Sequence, residues 1–380
     1  LTEFVKEKKS AKISIAMNNK QKLTILGIET SCDETSVAVL EYKKNRFQIL
    51  SNLVSSQIPI HRKYGGIIPE IAARAHIKNM PLIIKKISQK INLKKIDLIA
   101  VTRGPGLVTS LLVGVETAKT LSYLLKKPLI GVNHLEGHLY ANWLPPINVN
   151  LKSEIRNQKH IFPAVSLIVS GGHTELGLIK KLGRYKRIGQ TRDDAAGECF
   201  DKIARLLGLG YPGGPVVAKM ADEIKNKTLT GKLPRPMINS DDFDFSFSGL
   251  KTAVLYLVKK NKKKMRNKEF VKNVCAEAQQ AIIDVLINKT VRVTKKYRAK
   301  TVFLSGGVAA NRELREQLRD SVGKLSPQRN FLVPPNNLCT DNAAMIAAAG
   351  IIKYGMLSQK QKKKLDNNWK SLAVNPNLSL

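Results

Sequence analysis

The chain repeats one plan twice, and that repeat narrows its fold more than any other feature. Leu23–Ile28 and Val37–Leu40 read as two strands around the polar tip Glu29–Ser36, and Ala164–Val169 and Thr174–Ile179 repeat the plan around Ser170-Gly171-Gly172-His173. Each hairpin is followed later by a buried strand that turns on glycines into a helix. Leu98–Thr102 leads through Gly104-Pro105-Gly106 into a helix over 107–125, and Val302–Leu304 leads through Ser305-Gly306-Gly307 into a helix over 308–320. A strand turning on glycine into a helix N-terminus presents free N–H groups to an anion. One such turn is a weak signal, and neither matches a P-loop or a dinucleotide fingerprint. Two hairpins and two strand–turn–helix units in the same order predict an α/β, two-lobed duplicated fold with a nucleotide cleft between the lobes.

A second feature lies between the halves. Asn133-His134-Leu135-Glu136-Gly137-His138 is helix-compatible, and residues four apart lie about 40° apart around a helix axis, so His134 and His138 share a face. Two imidazoles so spaced suit a borderline divalent cation, although an H-x-x-x-H pair is as often two structural histidines. The pair is no zincin helix. Glu136 stands two places after His134, about 200° around the axis, where no metal-bound water is in reach.

Composition bounds the remaining classes. The 380 residues carry 64 Lys and Arg against 29 Asp and Glu, a net charge of +35. This fits a polyanionic partner, and it equally fits a lysine-biased sequence that spreads ammonium groups over solvated faces. The basic run 259–268 is an expected phosphate contact or an idle charged face. Cys32, Cys199, Cys275 and Cys339 form no C-x-x-C pair, which argues against a disulfide framework or zinc ribbon and for a reducing compartment. No apolar run is long enough to span a bilayer, so no membrane association is expected.

The residues carry a family resemblance. Gly27–Thr35, Tyr64–His76, Arg103–Leu107, Asn133–His138, Ser170–Thr174, Gly197–Asp201, Tyr211–Pro215, Phe247–Lys251, Ser305–Asn311 and Cys339–Met345 resemble, in order and spacing, the bacterial-type tRNA threonylcarbamoyladenosine transferases, the TsaD family, formerly labelled glycoproteases. The resemblance runs from about residue 23 to 354 and implies an actin/Hsp70/sugar-kinase-like fold with an interlobe nucleotide and metal cleft. Metal ligands fall on His134, His138 and Asp341, for Fe or Zn. Nucleotide and acyl-adenylate contacts fall on Ile168, Val169, Ser170, Gly171, Gly172, Asp201, Gly214 and Asn311. The implied reaction moves threonylcarbamoyl from threonylcarbamoyl-AMP to N6 of adenosine 37 in tRNAs reading ANN codons, with ATP or ADP able to enter the same cleft. Asp33 and Glu34, at the first hairpin tip, are the candidate proton acceptors, or else order the metal site or tRNA. His173 is a further titratable group beside the glycine turn.

The implied partners are tRNA, a TsaB-type paralogue docked on the N-lobe helices and a TsaE-type ATPase, with a homodimer left open and a cytoplasmic location. A metalloendopeptidase and a small-molecule kinase or nucleotide-binding scaffold on the same fold are the competing readings. The expected organisation is a flexible leader over 1–22, an N-terminal lobe over 23–131, and a C-terminal lobe over 132–356 whose last helix packs back on the N-terminal lobe. A mobile basic tail is expected over 357–380. The polar interval 148–160 reads as a surface connection, and a helix is expected over 69–80, with Glu70 and Arg74 paired on its surface.

Overall fold

The computed structural model describes residues 22–145, 153–154, 161–224 and 232–380. The leader, apart from residue 22, and most of the 148–160 connection lie outside them. Two mixed sheets organise the chain. The first runs β5-β4-β1-β2-β3-β6, with β1 Leu23–Glu29, β2 Glu34–Lys43, β3 Arg46–Ser56, β4 Leu98–Gly104, β5 Leu129–Asn133 and β6 Ser153–Glu154. The second runs β11-β10-β7-β8-β9, with β7 Ala164–Val169, β8 Thr174–Lys181, β9 Arg184–Gln190, β10 Thr301–Ser305 and β11 Asn330–Leu332.

Apart from β6, the two orders superpose strand for strand. In each, an antiparallel three-strand meander is extended on its first strand by two parallel strands. Each parallel pair is joined by a crossover helix, Val108–Leu125 or Arg312–Leu325. The duplicated α/β fold is therefore the one expected. Strands β1, β4, β5, β7 and β10 are buried almost throughout, as near-continuous apolar runs require when both sheet faces are covered.

Several boundaries differ from the expectations. The helix expected over 308–320 is a short 3₁₀ turn, Gly307–Ala310, followed by Arg312–Leu325. Gly306 adopts φ 91°, and the Asn311 side chain accepts from Leu314 N at 3.0 Å, so the helix starts after Asn311. The first long helix runs through Pro81 to Ser88, because Ile83 and Ile87 bury the turns beyond the proline. Its Arg74–Glu70 pair forms at 2.8 Å between exposed side chains, where such a pair adds little stability. Strands β3 and β9 were not anticipated: their faces are half exposed and carry no continuous apolar run.

The helix Ala343–Met356 crosses from the second sheet back onto the first. Its alanines and Gly350 let it lie against the sheet backbone. A Cβ at Gly350 would come 2.6 Å from that of Ala100, and one at Gly27 would run into the carbonyl oxygen of Ala343. Ala343 N donates to Ser36 Oγ at 2.8 Å. The loop before this helix is thereby held between the lobes.

Residues 357–380 are docked rather than a mobile tail. After the helix Gln359–Leu365, Trp369 packs on Tyr123 with ring centroids 4.8 Å apart, and Leu372 is buried against the first sheet. Lys363 and Lys364 face solvent while Trp369 and Leu372 supply the anchor, which a reading of overall polarity misses.

Candidate active site

The site is built where two element ends meet. Strand β5 runs directly into the seven-residue helix His134–Tyr140, with Asn133 as its cap: the Asn133 side chain accepts from Leu135 N at 2.8 Å. Gly137 faces the crossing helix, where a Cβ would come 2.7 Å from Ile346, so the two helices lie close. This approach brings Asp341 to the histidines. His138 Nε2 stands 3.1 Å and His134 Nε2 3.5 Å from Asp341 Oδ1. The three ligand atoms lie within 4.8 Å of one another.

The donor set fits a cation. His138 Nδ1 is buried without a hydrogen-bond partner and Nε2 faces only Asp341, a costly state for an imidazole unless something else engages it. His134 is turned by Glu29, whose Oε2 lies 3.1 Å from Nδ1, with Ser31 Oγ also at 3.1 Å. Glu29 is in turn held by Thr102 Oγ1 at 2.6 Å and Ser31 N at 2.5 Å. A carboxylate on Nδ1 orients the ring and leaves Nε2 toward Asp341, the usual support of a ligating histidine. Glu29 was missed in the sequence. The available signal was a carboxylate closing an otherwise uncharged strand.

Charge reinforces the geometry. Burial alone would lower the His134 pKa, but the Asp341 and Glu29 carboxylates outweigh it and push it up to about 9. Burial likewise works against ionisation of Asp341, yet the two imidazoles hold it well below the usual carboxylate range. His173, whose ring centroid lies 6.3 Å from that of His134, is pushed down to about 4 by burial and by His134 and His138.

The signs give a testable pH dependence. The folded-state pKa of His134 is raised, so its contribution to the metal-free fold is complete below 6.5 and is lost as pH rises through about 9. The chelated protein is expected to melt at falling temperature across that window, while cation affinity rises as the imidazolium gives up its proton. Thermal melts and cation titrations at stepped pH check this. A melting temperature indifferent to pH from 6.5 to 9.5, matching that of His134→Gln, would contradict it.

The acidic tip shares the cleft. Burial, then Asp33, raises the Glu34 pKa well above its ordinary value, and Asp341 adds to the effect. Burial, then Asp33 and Asp201, raises the pKa of Tyr211, from the second half, so its phenol stays protonated. Arg62 Nε donates to Tyr211 O at 3.1 Å and Arg205 donates to Gly65 O, so the two lobes touch here. Tyr211 is a further residue that sequence reasoning did not single out.

The glycine turns lie side by side. Val169 and Gly306 end neighbouring parallel strands, and a Cβ at Gly306 would run into Val169 O. Gly171 and Gly172 face open space: a Cβ at either would meet nothing within 4 Å, while Ser170 N donates to His173 O at 2.8 Å. Ile168 and Val169 are buried, so only their backbone is available to a ligand. Asp201 Oδ1 accepts from Gly213 N at 2.6 Å, fixing the start of the helix Gly213–Asp222, which carries Gly214. Asn311, besides capping its helix, donates to Gln279 Oε1 at 2.7 Å.

A duplicated two-lobed α/β protein with a His134–His138–Asp341 cluster and glycine turns beside it defines a class of two-lobed proteins with a site able to hold a metal. Within that class, the family model of TsaD, tRNA N6-adenosine threonylcarbamoyltransferase, matches residues 48–348, and the chain belongs to this family. It is 47% identical over 352 residues to the tRNA N6-adenosine threonylcarbamoyltransferase of Thermosipho africanus (strain TCF52B), covering 91% of this chain and 99% of that protein. It is 50% identical over 332 residues to that of Thermosipho melanesiensis, covering 86% and 94%. Among solved structures, full-length HypF in a phosphate- and nucleotide-bound form aligns with a TM-score of 0.52 at 14% identity. That alignment covers 88% of this chain and 47% of the longer HypF chain, and it bears on the fold alone.

Proposed function

We propose that this chain is an acyltransferase that moves the threonylcarbamoyl group of threonylcarbamoyl-AMP to N6 of adenosine 37 in tRNAs reading ANN codons. The observation that carries the reading is the His134–His138–Asp341 cluster, in a chain of this family, set in one cleft with the glycine turn Ser170–Gly172. Two imidazoles and a carboxylate suit Fe or Zn and leave positions open for substrate oxygens. When bound, such an ion supplies Lewis-acid polarisation of the acyl carbonyl.

The chain's own residues do the rest. Backbone N–H groups at Gly171 and Gly172 receive the adenylate phosphate, where no Cβ obstructs approach. Asp201 accepts from ribose, Gly214 permits close approach, and Asn311 offers its remaining N–H. ATP or ADP fits the same cleft. In the transfer, the N6–acyl bond forms, the acyl–phosphate bond breaks and AMP leaves with the electron pair. The proton lost by N6 passes to the Asp33–Glu34 pair. Adenosine 37 lies in a single-stranded loop, so its base can be splayed into the cleft.

The surface supports the partner assignments. Ile77, Leu82, Leu112 and Leu124 are exposed on the N-lobe helices, a face suited to a TsaB-type paralogue, with a homodimer on that face as the competing occupant. A TsaE-type ATPase completes the set. The basic turn Lys262–Arg266 is a phosphate contact for tRNA. Four free thiols fit the cytoplasm, and among the described residues no helix is long and apolar enough to cross a membrane.

A protease reading lacks its base: Glu136 lies by Lys353, Tyr140 and Tyr185. A kinase or nucleotide scaffold has no use for the cluster. The test mixes purified protein, threonylcarbamoyl-AMP and unmodified tRNA, with and without TsaB- and TsaE-type proteins, and assays the nucleoside by mass spectrometry. Product in the complete mixture, lost on chelation, is expected. No product with metal and all partners present would overturn the reading.

A further inference from the structure

We propose that the segment Asn375–Ser379 is a positioning element of the metal site, bracing the helix His134–Tyr140 so that His134 meets His138 and Asp341. The proposal rests on the reading that these three residues hold a cation. A helix of two turns does not hold its own position, so neighbouring contacts must set it. Gly137 fixes the helix on one side against Ile346, and residues 368–379 supply the contacts at its start.

The segment reaches the site in steps. Asn368 Nδ2 donates to Leu129 O at 2.9 Å, and Leu372 packs where a Cβ at Gly131 would come 2.7 Å from its Cδ1, which ties the chain to β5. Asn375 N then donates to Arg103 O at 2.7 Å, Gly106 N donates to Pro376 O at 3.2 Å, and Asn133 Nδ2 donates to Ser379 O at 3.0 Å.

Two of these contacts lead to His134. Asn133 spends its amide oxygen on Leu135 N and its amide nitrogen on Ser379 O, so the segment sets the rotamer of the residue that starts the helix. Gly106 is clasped between Pro376 O and Ser31: a Cβ there would come 2.6 Å from Ser31 O, and Leu107 N donates to that same oxygen at 2.8 Å. Ser31 Oγ in turn lies 3.1 Å from His134 Nδ1. Support of this kind for a ligating histidine typically carries about ten- to hundredfold in metal affinity.

The test is Co²⁺ binding, read by calorimetry and by the visible absorption of the bound ion. It compares the full chain, Asn133→Ser, deletion of 375–380, the two combined, and His138→Ala. Serine keeps a cap oxygen for Leu135 N but is too short for Ser379. Asn133→Ser and the deletion are each expected to weaken Co²⁺ by about tenfold and shift the absorption, and the combination to be no weaker than the deletion alone. If the full chain binds Co²⁺ no better than His138→Ala, the metal-site reading itself fails. If His138 is required but Asn133→Ser binds with unchanged affinity and spectrum, or the two losses multiply, the brace is wrong. Should the deletion lose its fold by circular dichroism, Asn133→Ser alone decides.

Discussion

His138→Ala is expected to abolish threonylcarbamoyl transfer, by at least about a thousandfold, while the protein stays folded. The magnitude follows from losing a ligand to an ion that supplies several kcal/mol of transition-state stabilisation, where each 1.36 kcal/mol is about tenfold in rate. The fold is expected to survive because His138 Nδ1 makes no hydrogen bond and Asp341, which loses His138 Nε2, keeps His134 Nε2 at 3.5 Å. His134→Ala is expected to lose activity equally but to lose more stability, since it strands Glu29, buried among Ser31 and Thr102. Single-turnover assays beside thermal melts separate the two. Full activity of both variants, with the protein free of metal, would leave the proposed chemistry without a basis.

Gly27→Ala should cost much stability for one added methyl group. The Cβ would run into the Ala343 carbonyl and stand 3.0 Å from Ala347 Cβ, and both lie on the helix that seals the first sheet. Overpacking against backbone costs about 1–3 kcal/mol, and here no flexible side chain is available to yield. Asp341 lies two residues before Ala343, so cation affinity should fall with stability. Gly171→Ala is the matched control: nothing lies within 4 Å of the added carbon, so stability should move by less than about 0.5 kcal/mol. Urea denaturation of both variants checks the pair. Equal midpoints for Gly27→Ala and the unaltered chain would contradict the packing.

The duplicated plan, the His pair and the glycine turns were legible in the chain because each is local. A two-residue period, a helical spacing and a strand–glycine–helix order are written within twenty or so neighbouring residues, and short-range sterics enforce them. Asp341 was named from the family resemblance, and its placement beside the histidines depends on small residues that let the helix Ala343–Met356 lie on the first sheet. Glu29 became the orienting carboxylate of His134 only when β1, β4 and β5 were placed side by side.

Residues 357–380 show the boundary between the two kinds of information. Average polarity suggested a tail without structure, yet three contacts from Asn368, Trp369 and Leu372 anchor it to β5 and the helix beside it. The sequence by itself determined which residue types stand at which local geometry, because backbone propensity and periodicity act between near neighbours. The tertiary structure alone decided which distant groups share a buried space, because packing and desolvation depend on surfaces brought together by the whole chain.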